Sequence, residues 1–217
     1  MNRTQRQRGV VAALSILVLA CAAHAQLSSD APGIKSDREM RSDRERGGWT
    51  PEEAARRLDD TDPTVRLEAV KALAETNSSK SQEYLMRAVG DSDPRVAATA
   101  VDALGRMGAK DASTFLAQRL FLAGTNPGLR QRILVALGRI HDPTSARPIL
   151  DFMQSENDPK VRGIAIRVIG EIGDDSTLAE LRTFGEQEKD AQVKALLQEA
   201  EAKIEARQPH SDNSGAR

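Results

Sequence analysis

The sequence is poor in the residues that carry most enzyme chemistry. It holds one cysteine, Cys21, in 217 residues, so no disulfide within the chain can staple the fold and packing alone must hold it. Histidine occurs three times, and only His141 lies in the part of the chain able to form a core. With no second His or any Cys there, metal ligation by imidazole or thiolate has no support. Aromatic residues are 3% of the chain, which leaves Ala, Leu, Val and Ile to fill the interior. It also removes the interleaved rings on which nucleic-acid bases stack. The formal net charge is −1, so no global field draws the protein to nucleic acid or to an acidic membrane. What the chain does have is length for one or two domains, 39% hydrophobic and 29% charged residues, a balance that suits a soluble protein with a modest core.

The first 25 residues stand apart. Arg3, Arg6 and Arg8 make a positive start, and Gly9 to Ala20 is an apolar run of 12 residues. A membrane-spanning helix needs about 20 residues, so residues 1–25 read as a signal peptide, with cleavage after Ala23-His24-Ala25. An alternative lies just upstream: Val18-Leu19-Ala20-Cys21 resembles a bacterial lipobox with Cys21 as the lipidated residue, although Leu19 is uncommon at its place in that motif. Either route predicts an exported protein, periplasmic or membrane-anchored as a lipoprotein. Loss of Arg3, Arg6 and Arg8 takes Lys+Arg from 31 to 28 against 32 Asp+Glu, so the mature protein is acidic. Residues 26–48 carry ten charges and few apolar groups, too little burial to offset ordering entropy, and read as a disordered charged linker. Residues 207–217 read as a disordered tail for the same reason.

Between them, residues 49–206 repeat one pattern. Pro63, Pro94, Pro127 and Pro159 recur about every 32 residues, and Ala191 continues the register. Asp62, Asp93, Asn126 and Asp158 precede the prolines, where each can cap the free backbone N–H groups of a helix start. Proline at the first helical position sacrifices no needed N–H. Apolar residues follow at helical spacing, as in Val96, Ala100, Leu104 and Met107 or Val161, Ala165, Ile169 and Ile172. Gly105, Gly138 and Gly170 share one place, which points to close helix approach or to a helix end. A less regular helix precedes each of these: Thr50-Pro51-Glu52-Glu53 opens the first with a capping box, and others are expected near 79–89, 111–122, 143–154 and 174–184. Their expected core faces are Tyr84, Leu85, Phe115, Leu116, Ile149, Phe152, Leu178 and Leu181. A period near 32 points to stacked repeats: an all-α fold of about five helix pairs, each unable to bury its apolar stripe alone.

The recurring Asp-Pro-x-Val-Arg-x-x-Ala-x-x-Ala-Leu-Gly-x-x-Gly grammar resembles the HEAT repeat, in particular the short HEAT-like type found in phycobilin lyases. The resemblance implies a right-handed α-solenoid whose second helices line a concave face. It further implies that Arg66, Arg130 and Arg162, with Lys194 in the last copy, pair with an inter-helix Asp of a neighbouring repeat. Ala97 stands where the second copy would have this Arg. The ladder is therefore expected to be weakest around the second and third repeats, where Ala97 and Asn126 sit.

Chemistry is harder to find. His141 falls in a turn beside Asp142, where other copies have Gly108 and Gly173, and reads as a turn residue in preference to a catalytic one. The acids Asp59, Asp60, Asp62, Asp91, Asp93, Asp174 and Asp175 lie at helix junctions, where capping and the helix dipole explain them; an acid–base pair or a hard-cation site is the alternative. No His-Glu dipeptide of the kind that holds iron in the HEAT-like deoxyhypusine hydroxylases occurs, and Leu104-Gly105-Arg106-Met107-Gly108 belongs to the repeat and not to a phosphate loop. No catalytic, cofactor-binding or metal residue is assigned. The basic residues Arg106, Arg130, Arg132, Arg139, Lys160, Arg162 and Arg167 point away from the expected core, with Asp102 and Glu171 as acidic exceptions. They form a candidate partner-binding groove for an acidic peptide, polysaccharide or phosphate-bearing surface. A solvated face, with Arg130 and Arg162 engaged in the ladder, is the competing reading. The expected function is an exported protein-binding adaptor or scaffold with no cofactor and no nucleic-acid partner. The alternatives are a lipoprotein of envelope assembly anchored through Cys21, and an accessory subunit or lyase-type enzyme of the HEAT-like family.

Overall fold

The computed structural model describes residues 49–207; the expected signal peptide with Cys21, the expected charged linker and the tail expected beyond Arg207 lie outside the described residues. Ten α-helices follow one another with no strand among the described residues. They are α1 (Pro51–Arg57), α2 (Pro63–Thr76), α3 (Ser79–Ala88), α4 (Pro94–Met107), α5 (Ser113–Arg119), α6 (Pro127–Ile140), α7 (Ala146–Ser155), α8 (Pro159–Ile172), α9 (Asp175–Gln187) and α10 (Ala191–Arg207). Short 3-10 turns, Lys110–Ala112 and Pro143–Ser145, lead into α5 and α7. Each odd helix packs on the even helix that follows it, and the even helices pack in succession, α2 on α4, α4 on α6, α6 on α8 and α8 on α10. The result is the expected α-solenoid of five stacked pairs.

Local chemistry sets the helix starts. The side chains of Asp62, Asp93 and Asp158 each accept from the backbone N–H two residues on, and Asn126 accepts from that of Leu129. Each such cap stabilises its helix by about 1 kcal/mol. Thr50 and Glu53 form the reciprocal capping box, and the Arg57 guanidinium lies 4.3 Å from the centre of the Trp49 ring. At the helix ends, Asn77, Gly108 and His141 are left-handed, with φ of 44°, 60° and 56°. Gly173 departs from them at φ −71°. Its glycine serves close approach, since a Cβ there would stand 2.7 Å from the Ile169 carbonyl and 2.8 Å from Thr177 Oγ1. Helix α10 runs through Arg207, whose guanidinium donates to the carbonyls of Gly170 and Gly173 at 2.6 and 2.8 Å; Arg207 therefore belongs to the helix and not to the tail expected from composition.

One continuous apolar core threads the pairs, from Ala54 and Leu73 through Leu104, Ile133 and Leu137 to Ile169, Leu197 and Ile204. Of the expected first-helix core residues, Leu85, Leu116, Ile149, Phe152, Leu178 and Leu181 are buried, while Tyr84 and Phe115 are partly buried against it. The recurrent glycines mark close approach. A Cβ on Gly105 would lie 2.9 Å from Ala136 Cα, and one on Gly170 would lie 3.0 Å from Ala200 Cα.

Charged rungs join the pairs at the opposite end of the even helices. Arg66 forks onto Asp91 of the next pair at 2.7 and 2.8 Å, and its third nitrogen donates to the carbonyls of Asp60 and Thr61. Arg162 meets Glu188 through one nitrogen, at 3.3 Å, and donates from another to the carbonyls of Glu156 and Asn157. Arg130 faces Glu156 at 3.7 Å. The partner acid sits three residues before the repeat proline or its equivalent; Asp91 also accepts one N–H of its own turn, and Glu156 and Glu188 each accept two. The second joint lacks the rung altogether: Ala97 is buried where the arginine would be, and Gly124 stands where the acid would be.

Candidate functional site

The even helices turn one row of side chains away from both neighbours and the core. Counted from the repeat proline, the exposed positions include the eighth and twelfth residues beyond it: Lys71 and Glu75 on α2, Arg106 on α4, Val135 and Arg139 on α6, Arg167 and Glu171 on α8. This is the face on which the sequence places its basic candidates, and the structure sorts them. Arg130 and Arg162 are not part of it. Their side chains retain only 24% and 16% of their exposure because each is drawn into a rung. Arg132 is on the face but is tied to Asp102 of α4. Arg106, Arg139, Lys160 and Arg167 are exposed and make no ion pair among the described residues.

The acids nearby are already engaged. Lys203 bridges Glu171 at 2.9 Å and Glu199 at 3.1 Å. The Lys203 bond holds the Glu171 carboxyl below the usual carboxylate range and lifts the Lys203 ammonium above its own. The middle of the row thus carries unbalanced positive charge, while its C-terminal end neutralises itself.

Between α6 and α8 this face dips into an open trough of about 550 Å³. Val135, Ile164 and Val168 make its apolar floor, and Arg139 and Arg167 stand over it. Gly138 opens the floor, since a Cβ there would lie 3.2 Å from Val168 Cγ2. A second trough of about 330 Å³ continues it between α8 and α10, sharing Ile164 and Arg167 and adding Lys160 and Leu196. Val135, at 40% exposure, is one of three large apolar side chains exposed among the described residues. Its signal was in the sequence: apolar Val135, Ile164 and Leu196 stand at positions where α2 and α4 carry Glu68, Lys71, Thr99 and Asp102. The arrangement offers guanidinium forks beside an apolar floor, which suits a ligand carrying both carboxylate or phosphate and apolar groups.

The other candidates fall into structural roles. His141 ends α6 in the left-handed turn, its N–H donating to the Leu137 carbonyl, and borders the trough. Asp62, Asp93 and Asp174 cap helices; Asp60 and Asp91 accept the N–H groups of Asp62 and Asp93. Asp93 is held at about 2 by the Arg95 guanidinium and backbone N–H, and Asp174 at about 2 by the Ser176 hydroxyl and Thr177. Among the described residues no group of three or more His, Cys, Asp or Glu is placed to hold a metal ion.

Comparison with known proteins agrees with this architecture. The family model for HEAT repeats matches residues 52–120 and again 119–201, more than half of the chain. Among solved structures, the complex of CpcE and CpcF of phycocyanin lyase from Nostoc sp. superposes with a TM-score of 0.56 at 18% identity, covering 81% of this chain and 69% of that one. An engineered protein superposes with a TM-score of 0.51 at 19% identity, covering 79% of this chain and 85% of its own. An uncharacterised protein of Geobacillus stearothermophilus, encoded 3′ of gldA, is 35% identical over 66 residues, which span 30% of this chain and 31% of that relative.

Proposed function

Because the chain belongs to the HEAT-repeat family, we propose that it is an adaptor that captures a partner protein on the exposed face of its even helices, without bond chemistry of its own. The single observation behind this reading is the α6–α8 trough, where Arg139 and Arg167 stand over an apolar floor with no ion pair among the described residues. Stacked repeats present surfaces of this kind as binding faces. Guanidinium groups left free beside apolar surface favour a segment with acidic residues flanking a large apolar one. The likeness to a complex of two phycocyanin lyase subunits adds support for protein–protein assembly as the use of this fold, while identity of 18% carries no substrate across.

The reading extends to location. A positive start, a short apolar run and Ala23-His24-Ala25 support export to the periplasm after cleavage at Ala25, and Cys21 supports the second form, a lipoprotein held at the membrane. The mass of the mature N-terminus distinguishes the two, since only one begins at an acylated Cys21.

The test of the adaptor is charge reversal on the free arginines. A labelled peptide alternating Glu and Leu is titrated into the full chain and into R139E/R167E. The variant is expected to lose at least about tenfold in affinity, as truncated central anchors do, with only a small fall in thermal midpoint, since neither arginine has an ion pair among the described residues and the new acids add only weak helix-surface repulsion. Equal binding by both proteins would remove the α6–α8 face from the function.

A further inference from the structure

The two ends of the solenoid carry the two halves of one joint. Inside the molecule each joint has a giving side and a receiving side, and the register from the repeat proline defines both. The third residue beyond the proline gives a guanidinium: Arg66 to Asp91, Arg130 to Glu156 and Arg162 to Glu188. The acid that receives it stands three residues before the next proline or its equivalent. The eleventh residue beyond the proline gives a small side chain to the ninth residue of the next even helix, as Gly105 does to Ala136 and Gly170 to Ala200.

Helix α10 has the giving side, with no receiver among the described residues. Counted from Ala191, the third residue is Lys194 and the eleventh is Ala202; both are exposed, and Lys194 makes no ion pair among the described residues. Gly170, in the register of Ala202, is buried under Ala200. Helix α2 and the turn before it have the receiving side, with no giver among the described residues. Three residues before Pro63 is Asp60, and the ninth residue beyond it is Ala72. Asp60 is set up as the internal acids are. Its Oδ1 accepts the Asp62 N–H at 2.9 Å, as Asp91 Oδ1 accepts that of Asp93 at 2.8 Å. Its carbonyl accepts from Arg66, as that of Glu156 does from Arg162. Its exposed carboxylate nevertheless makes no ion pair among the described residues. Ala72 keeps part of its surface bare, while its equivalents Ala103, Ala136 and Ala200 are buried.

We propose that copies of this chain associate head to tail, α10 of one copy on α2 of the next, with Lys194 bonding Asp60 and Ala202 against Ala72. The occupant of each end follows from continuity with the internal joints, where the same register positions already bind their complements within the chain. The charges are complementary as well, a free ammonium at one end and a free carboxylate at the other. The two surfaces differ, so the contact is heterologous and leaves an end on each side for another copy. Gln198 sets its strength. It is exposed where its equivalents Val70, Val101, Leu134 and Ile166 are buried. The centre of the end joint is therefore polar, and the association is reversible and salt-sensitive, unlike the internal joints. The exposed row of the even helices then runs on from one copy into the next and leaves the α6–α8 trough unchanged.

Sedimentation of the full chain from micromolar to millimolar concentration tests this. The weight-average mass is expected to climb with concentration past that of a dimer. K194E brings two acids together at the contact and D60K two bases, and each should lower the association constant about tenfold or more. The double variant D60K/K194E rebuilds the pair in reverse and should regain association, as should a mixture of the two single variants. A202W, with an indole on an exposed helix position at the contact, should stay monomeric while its circular dichroism matches the parent. R139E/R167E should assemble like the parent, which separates this contact from the α6–α8 face. The mass of one chain at every concentration, a plateau at the dimer, or oligomers indifferent to K194E and D60K would overturn the proposal. So would a loss in K194E that D60K/K194E does not regain.

Discussion

The first and second joints of the solenoid are made differently. Where α2 meets the following pair, Arg66 and Asp91 form a forked, largely buried rung, with 12% and 9% of their side-chain surface exposed, and the eleventh residue beyond the repeat proline is Ala74. Where α4 meets its successor, both members of the rung are gone, Ala97 and Gly124 in their places, and the eleventh residue is Gly105, pressed against Ala136. A buried charge without its partner destabilises more than an absent pair does, so loss of both together is the stable way to omit a rung. The difference teaches that the repeats hold together by two separable means, a charged contact at one end of the even helices and close backbone approach at the other.

The largest effect should come from breaking the approach at the joint that depends on it most. At Gly105 the obstacle to a side chain is the Ala136 backbone, 2.9 Å from where a Cβ would sit, so G105V has to push two helices apart. Overpacking of this kind destabilises by about 3 kcal/mol. Gly138 is the control. There the obstacle is a γ-methyl of Val168 at 3.2 Å, which has to give by only a few tenths of an ångström, and the better helix propensity of Ala offsets the strain, so G138A should stay within about 1 kcal/mol of the parent. Thermal unfolding of the two variants reads the contrast; equal midpoints would show that backbone approach does not govern the second joint.

Much of this contrast was legible before any coordinates. The Asp-Pro starts fix where the even helices begin because capping and proline geometry are local. A glycine recurring at one register position left close approach and a helix end as alternatives, between which the Ala136 and Ala200 backbones decide, and Ala97 announces the missing rung. Other features needed the fold. Whether Arg130 and Arg162 belong to a groove or to a ladder depends on which way a long side chain turns at a helix start, which spacing does not decide. That Glu156 and Glu188 serve where Asp was expected shows only in the fold, where each meets its arginine and also accepts two N–H groups of its own turn. The early end of α5 at Arg119 was missed because Leu120, Phe121 and Leu122 continue an apolar run that suits a helix; only the turn closed by Thr125 sends them outward. Of the basic candidates, spacing alone gave Arg106, Arg139, Lys160 and Arg167 correctly as exposed, but not the apolar floor beside two of them.

The rung can be broken in two ways, and they should differ. D91A leaves the Arg66 guanidinium with only the Asp60 and Thr61 carbonyls and removes the acceptor of the Asp93 N–H. It is expected to destabilise by about 2 kcal/mol, the loss typical of a buried polar group stripped of its partner. The double variant R66A/D91G rebuilds the second joint's chemistry at the first. It should lose clearly less than the sum of R66A and D91G measured singly, because neither charge is left alone. Strict additivity in denaturant unfolding would mean that the two side chains do not act as a unit.

Acid should distinguish the two joints with the smallest signal. The Arg66 guanidinium beside Asp91 holds its carboxyl below the usual carboxylate range. A carboxyl whose folded value is depressed contributes stability that is complete above its unfolded value of about 3.9 and is lost as the pH falls through the folded one. The first joint therefore weakens below roughly pH 4, whereas the second has no carboxyl in its rung position to protonate. In R66A/D91G that share of the acid sensitivity is gone, and its midpoint should approach that of the parent as pH falls from neutrality into this range. Asp93 and Asp174, both held at about 2, remain in parent and variant alike and give the two curves a common fall at still lower pH. If the curves stay parallel throughout, Asp91 is not the group that couples the first joint to acid, and the forked contact contributes through packing instead of charge.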